Sequence, residues 1–146
     1  MKRMGMLMSL ALAICLTATG AAYAQDAYRE GSVWSVGFIK VKPGMLDQYM
    51  RDLTATRKPL LEEAQRQGLI LSHRMLSGNS MGRDDFNMIL LVEYKNWAAF
   101  DGLSAKFDAL SNRVIGNEEK RTQVMVKRTD MREIVGGKSM QEIHFR

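Results

Sequence analysis

Apart from its ordinary charges, this 146-residue chain offers little to chemistry: two imidazoles, one thiol, two indoles and four phenols. His73 and His144 are the only histidines. His73 lies within LILSHRMLS, where strand alternation sets it on one face with Leu69, Leu71 and Met75 and puts Ser72 and Arg74 on the other. An imidazole on an apolar strand face titrates near neutrality and could act as a general base or ligate haem iron. The plainer alternative is a histidine hydrogen-bonded inside the core or at a dimer seam. His144 stands close to the C-terminus, where fraying makes a poor catalytic group, and is expected to cap a strand edge. Trp34, Tyr49, His73 and Tyr94 are the residue types a dry pocket would use to hold an aromatic molecule or stabilise a phenolate. Each is also an ordinary amphipathic core residue. His73 is the one candidate catalytic group.

Several chemistries are excluded or disfavoured. Cys15 falls inside a leader, so the processed chain has no thiol for a nucleophile, a thiolate metal site or a disulfide. Asp84 and Asp85 are adjacent acids in the polar loop GNSMGRDD with no third ligand at regular spacing, and no metal is expected there. Net charge is +5, two of the positive charges being Lys2 and Arg3 in the leader. Lys120, Arg121, Lys127, Arg128 and Arg132 are interleaved with Glu118, Glu119, Asp130 and Glu133, the pattern of a salt-bridged surface. No nucleic acid is expected as a partner, because no concentrated basic face is visible. Four of the twelve methionines lie in the leader, and the rest mostly occupy periodic apolar positions.

Residues 1–24 have the order of a signal peptide. Lys2 and Arg3 form the positive end, residues 6–16 an apolar run, and Ala22-Tyr23-Ala24 a small-x-small cleavage site. The run is about half the ~20 residues a membrane span needs. Leu12-Ala13-Ile14-Cys15 starts like a lipobox, but Ile14 stands where a small residue is required. Cleavage after Ala24 and a periplasmic or secreted product with no membrane attachment are therefore expected.

Residues 25–31 are polar and read as a flexible N-terminal arm, followed by a single domain over 32–146. Residues 32–41 (SVWSVGFIKV) are rich in β-branched and aromatic types and predict a strand, with Trp34, Val36 and Phe38 on one face and Val33, Ser35, Gly37, Ile39 and Val41 on the other. Over 45–67 the period changes. Leu46, Tyr49, Met50, Leu53, Leu60, Leu61 and Ala64 recur at helical steps, with a break expected near Lys58 ahead of Pro59 and a stop at Gly68. Residues 69–77 and 86–95 predict two more strands. Asn96 opens a helix through Trp97, Phe100, Leu103, Phe107 and Leu110. A third helical stretch over 118–128 precedes a last strand within 131–146, expected to be broken around Gly136-Gly137.

The order β-α-β-β-α-(α)-β describes an α+β, ferredoxin-like antiparallel sheet with helices on one face. The first and third strands are apolar on both faces, so a second copy packed sheet against sheet, a two-fold homodimer, is expected.

The segments VGFIKVKPGMLDQY, KPLLEEAQRQGLILSHRML and LLVEYKNWAAFD resemble the dimeric α+β barrel superfamily, which is ferredoxin-like and includes the antibiotic-biosynthesis monooxygenases. The likeness covers residues 34–146 and is greatest to small secreted bacterial members of unassigned activity. It implies a dimeric α/β barrel. The superfamily spans cofactor-free quinone-forming monooxygenases, haem-degrading monooxygenases, dye-decolourising peroxidases, muconolactone isomerases and stress-response proteins, and fold alone does not choose among them. The haem-degrading members use a helix-borne histidine supported by asparagine and tryptophan. Here Trp34, Trp97, Asn87 and Asn96 are present, but neither histidine falls on a predicted helix, which leaves Tyr49 as the helix-borne side chain, and no cofactor is expected. The expectation is an exported dimer that binds a small apolar or aromatic molecule. The alternatives are a cofactor-independent monooxygenase or isomerase acting on an aromatic substrate, and a purely structural or interaction protein.

Overall fold

The structure is a computed structural model that describes residues 27–146; the signal peptide expected over 1–24 lies outside the described residues. Its elements run β1 (Tyr28–Val41), α1 (Leu46–Ala55), α2 (Arg57–Arg66), β2 (Ser72–Ser77), β3 (Met88–Tyr94), a 3-10 turn (Trp97–Phe100), α3 (Leu103–Val114), α4 (Glu118–Met131) and β4 (Arg132–Phe145). The four strands form one antiparallel sheet in the order β2-β3-β1-β4. This is the ferredoxin-like arrangement the pattern of strands and helices predicts.

Register separates the two faces. Val33, Ser35, Gly37 and Ile39 stand opposite Tyr94, Val92, Leu90 and Met88, and this face meets the helices. Two clusters pack on it. Ile39, Val41, Met88 and Met131 bury Tyr49 and Leu53 of α1, while Val92 and Tyr94 pack with Leu61, Ala64, Ile70 and Leu110 under α2 and α3. The outer face carries Trp34, Val36 and Phe38 beside Leu91 and Ile89. Cations lie over its rings: the Arg74 guanidinium is 5.6 Å from the Trp34 ring and the Lys138 ammonium 5.8 Å from Phe38.

The connections follow from local chemistry, with several corrections. The helical run breaks at Thr56, ahead of the expected Lys58. Pro59 is the third residue of α2, where its missing N–H would have had no intrahelical acceptor. Gly68, at φ +71°, ends α2 in a Schellman turn: Leu69 N–H donates to the Ala64 carbonyl and Gly68 N–H to that of Gln65. That reversal shortens β2 to Ser72–Ser77 and buries Ile70 while exposing Leu71, so His73 lacks the neighbours expected at Leu69 and Leu71.

The helix opened by Asn96 is two elements. The Asn96 side chain accepts from Ala99 N–H, and Gly102, at φ +64°, separates the 3-10 turn from α3. Tyr28, Arg29 and Glu30, placed in a flexible arm by composition, pair with Phe145, His144 and Ile143, because β4 continues far enough to offer them partners. β4 is not broken at Gly136-Gly137. Val135 is accommodated as an extra residue between the pairs Ile39–Ile134 and Phe38–Gly136, a bulge that keeps the strand whole.

Candidate functional site

On the helix-facing side the middle of the β1–β4 pair presents almost no side chain. Ser35 lies opposite Ser139 and Gly37 opposite Gly137. Above them α1 and α4 do not close down, leaving an open cleft of about 650 Å³. Tyr49 and Leu53 of α1, Arg57 of α2, Met125 and Arg128 of α4, and Arg132 and Ile134 of β4 wall it. The glycine at 37 is not a backbone requirement. A methyl there would sit 3.8 Å from the Leu90 carbonyl oxygen, in ordinary contact, whereas one at Gly137 would come within 3.2 Å of the Val36 carbonyl oxygen. Gly37 keeps volume in the cleft.

The electrostatics of the cleft are one-sided. Three lining side chains are cationic (Arg57, Arg128 and Arg132) and none is a carboxylate, the Lys138 ammonium lying over Phe38 on the outer face. Arg128 is compensated from behind: its Nε donates to Asp52 Oδ2 at 2.6 Å and its Nη2 to Thr56 Oγ1 at 2.6 Å, while Thr56 Oγ1 donates to the Asp52 carbonyl oxygen at 2.7 Å. Arg132 is only 8% exposed and its Nε has no hydrogen-bond partner. Arg57 forms no ion pair among the described residues. Burial lowers its pKa from the usual arginine value; Arg128 and Arg132 push the same way, and Tyr49 and Tyr94 oppose them. Arg57 is also the first residue of α2, at the end of a helix that favours anions.

The residues singled out from sequence divide between several places. Tyr49 is 1% exposed and lines the cleft. His73 borders a smaller cavity of about 220 Å³ together with Leu61, Arg74 and Met75, and the two cavities share Leu53 and Arg57. Tyr94 lies under α2 and α3, its ring 4.6 Å from Phe100. Burial raises the pKa of its hydroxyl, with Arg57 opposing. Trp34 is on the outer face, away from the cleft. His144 sits on β4 with Nε2 3.6 Å from Glu142, close over Gly31. Asp85 orders its loop by accepting from Met81 N–H at 2.8 Å and Phe86 N–H at 2.9 Å. No group of three metal-ligating side chains occurs among the described residues.

The basic residues of 120–132 do not form one salt-bridged surface. Arg128 reaches Asp52 on another helix, Arg121 reaches Asp108 at 3.0 Å, and Arg132 turns inward. The sequence holds a signal for this: Arg121, Val124, Arg128 and Met131 recur at three- and four-residue steps, so arginines share the stripe of the apolar residues that face the body. Arg57 shows no such signal, standing beside a helix break that shifts the period.

No protein-family model matches the chain, and comparison with curated proteins gives no match. Among solved structures the chain is similar to the crystal structure of a NipSnap family protein with unknown function from Agrobacterium tumefaciens strain C58. The two are 12% identical over 80% of this chain and 90% of that one, with a TM-score of 0.47.

Proposed function

We propose that this small α+β protein is an exported binding protein whose cleft between α1, α4 and the sheet takes a small apolar or aromatic molecule. One observation carries the reading: the sheet gives up side-chain volume at Ser35, Gly37, Gly137 and Ser139, and at Gly37 no steric demand of the backbone explains the loss. Unfilled volume in a small core is costly unless something occupies it, and concave, largely apolar clefts with a few polar groups are where small molecules bind. Tyr49, Leu53, Leu90 and Ile134 supply apolar contact.

The neutral fluorophore N-phenyl-1-naphthylamine tests this. It should bind the wild-type protein at micromolar concentration, and Gly37→Leu, which places a side chain in the cleft without backbone strain, should weaken it by about tenfold. A wild type that binds no probe, or a Gly37→Leu variant that binds as well as wild type, overturns the reading.

The same proposal has the protein acting as a two-fold homodimer joined through the outer sheet face. Its support is the apolar stripe of Trp34, Val36, Phe38, Ile89 and Leu91 on the sheet face away from the helices, half-buried except for Val36, which is buried. Sedimentation of the wild type should give a dimer at micromolar concentration, and Leu91→Lys should give a monomer, since burying such a side chain contributes ~2 kcal/mol before the charge is counted. A wild type that sediments as a monomer at every concentration overturns the dimer.

A second reading, a cofactor-independent monooxygenase or isomerase acting on an aromatic substrate, is favoured by one observation. Tyr49 and Arg57 line the same cleft, where a phenol donor and a guanidinium would stabilise a developing phenolate or enolate. Its base would be His73, in the adjoining cavity across Arg57.

A further inference from the structure

The cleft has an uncompensated charge. Of its arginines, Arg128 is neutralised by Asp52 and anchored by Thr56, whereas Arg132 is more than nine-tenths buried with an unpartnered Nε and Arg57 has no acid beside it among the described residues. A buried guanidinium without a counter-charge is expensive, and the usual remedies are a carboxylate partner or replacement by an apolar side chain. Neither is present: the lining holds no acid, and two cations remain beside Tyr49. Arg57 and Arg132 arrive from different elements, the start of α2 and the start of β4, so one cleft collects them from remote positions in the chain.

We infer that the molecule taken by this cleft is an organic anion, with its carboxylate or sulfonate head held by Arg57 and Arg132 and its apolar body lying along Gly37, Leu53, Leu90 and Ile134. The inference rests on the cleft being the binding site, as proposed above, and adds the charge of the ligand. A guanidinium fork matches such a head with paired, charge-assisted hydrogen bonds, and the low dielectric of a half-closed cleft strengthens them. Arg128, already satisfied by Asp52, serves as wall and not as ligand.

The test compares two probes of one shape. 8-Anilinonaphthalene-1-sulfonate carries a sulfonate, and N-phenyl-1-naphthylamine is the same scaffold without it. By fluorescence titration the sulfonate should bind the wild-type protein at least about tenfold more tightly. Arg132→Met and Arg57→Met should each abolish that preference while leaving the affinity for the neutral probe within about twofold. Arg132→Lys, which keeps the charge and loses the fork, should retain part of it. Equal affinities in the wild type overturn the anion inference and leave the cleft reading standing. Binding of neither probe overturns both. If a methionine variant fails to fold, Gly37→Leu decides. It fills the cleft without touching either arginine and should weaken both probes, so an undiminished affinity for the sulfonate there places the anion site elsewhere and overturns the inference.

Discussion

The helix-facing side of the sheet is two regions built to opposite specifications. Under α2 and α3 it presents Val92 and Tyr94, and the space is filled by Leu61, Ala64, Ile70 and Leu110, with Phe100 and Phe107 packed against them. Under α1 and α4 a second cluster of Ile39, Val41, Met88 and Met131 packs on Tyr49 and Leu53, but beside it the sheet presents Ser35, Gly37, Gly137 and Ser139, and the space is left as a cleft edged by arginines. Both lie on the same sheet, and one βαβ half resembles the other in outline. The first region contributes stability through close packing. The second gives some of it up, both in volume and in buried charge. Close packing and open volume thus fall in different parts of one sheet, joined through Arg57, which lies within electrostatic reach of both Tyr49 and Tyr94.

Substitutions should separate the two regions. Leu110→Ala, in the filled region, should cost about 2–5 kcal/mol in denaturant unfolding, because Leu110 is fully buried in the cluster with Leu61, Ala64 and Ile70, and should leave probe affinity in the surviving folded protein unchanged. An effect below about 1 kcal/mol would mean that this region is not close-packed. Arg132→Met, in the open region, should act in the opposite direction and raise the stability of the unliganded protein by about 1–2 kcal/mol, since an uncompensated buried cation is exchanged for an apolar side chain. A loss of stability would show that Arg132 is held by partners in solution. The smallest effect concerns Tyr94. Burial holds its hydroxyl pKa above the usual tyrosine value, so the unfolded chain loses this proton first as pH rises past ~10, and stability falls there. Tyr94→Phe should flatten that part of the pH–stability curve; an unchanged slope would rule out a contribution from Tyr94.

The first region was largely legible from sequence and the second was not. The periodicity of Leu60, Leu61 and Ala64, the Asn96 cap and the Gly68 stop each follow from local chemistry, and the sheet order follows from the succession of elements. Tyr49 and His73, picked out by residue type, stand beside the cleft and the smaller cavity because helical period and strand alternation dictate which way they face. Arg57 and Arg132 were not found. A long cation is ordinarily solvated, and its burial here depends on a helix break at Thr56 and on the alignment of β4 with β1, neither of which is a local property. Trp34 illustrates the opposite failure. Its type suits a pocket, but the pleat places it on the other side of the sheet, where it supports the outer face.

The guanidinium of Arg128 spans the Asp52 carboxylate and the Thr56 hydroxyl at the point where α1 gives way to α2. The joint between two helices, the place where a chain would most readily flex, is thereby riveted to a third. Arg57 follows directly on that joint, so the backbone that carries it is held by the same contacts. The entropic cost of ordering this wall is incurred during folding and not during association. Capture should therefore be a single encounter whose observed rate rises linearly with probe concentration, without the plateau that a preceding rearrangement would impose.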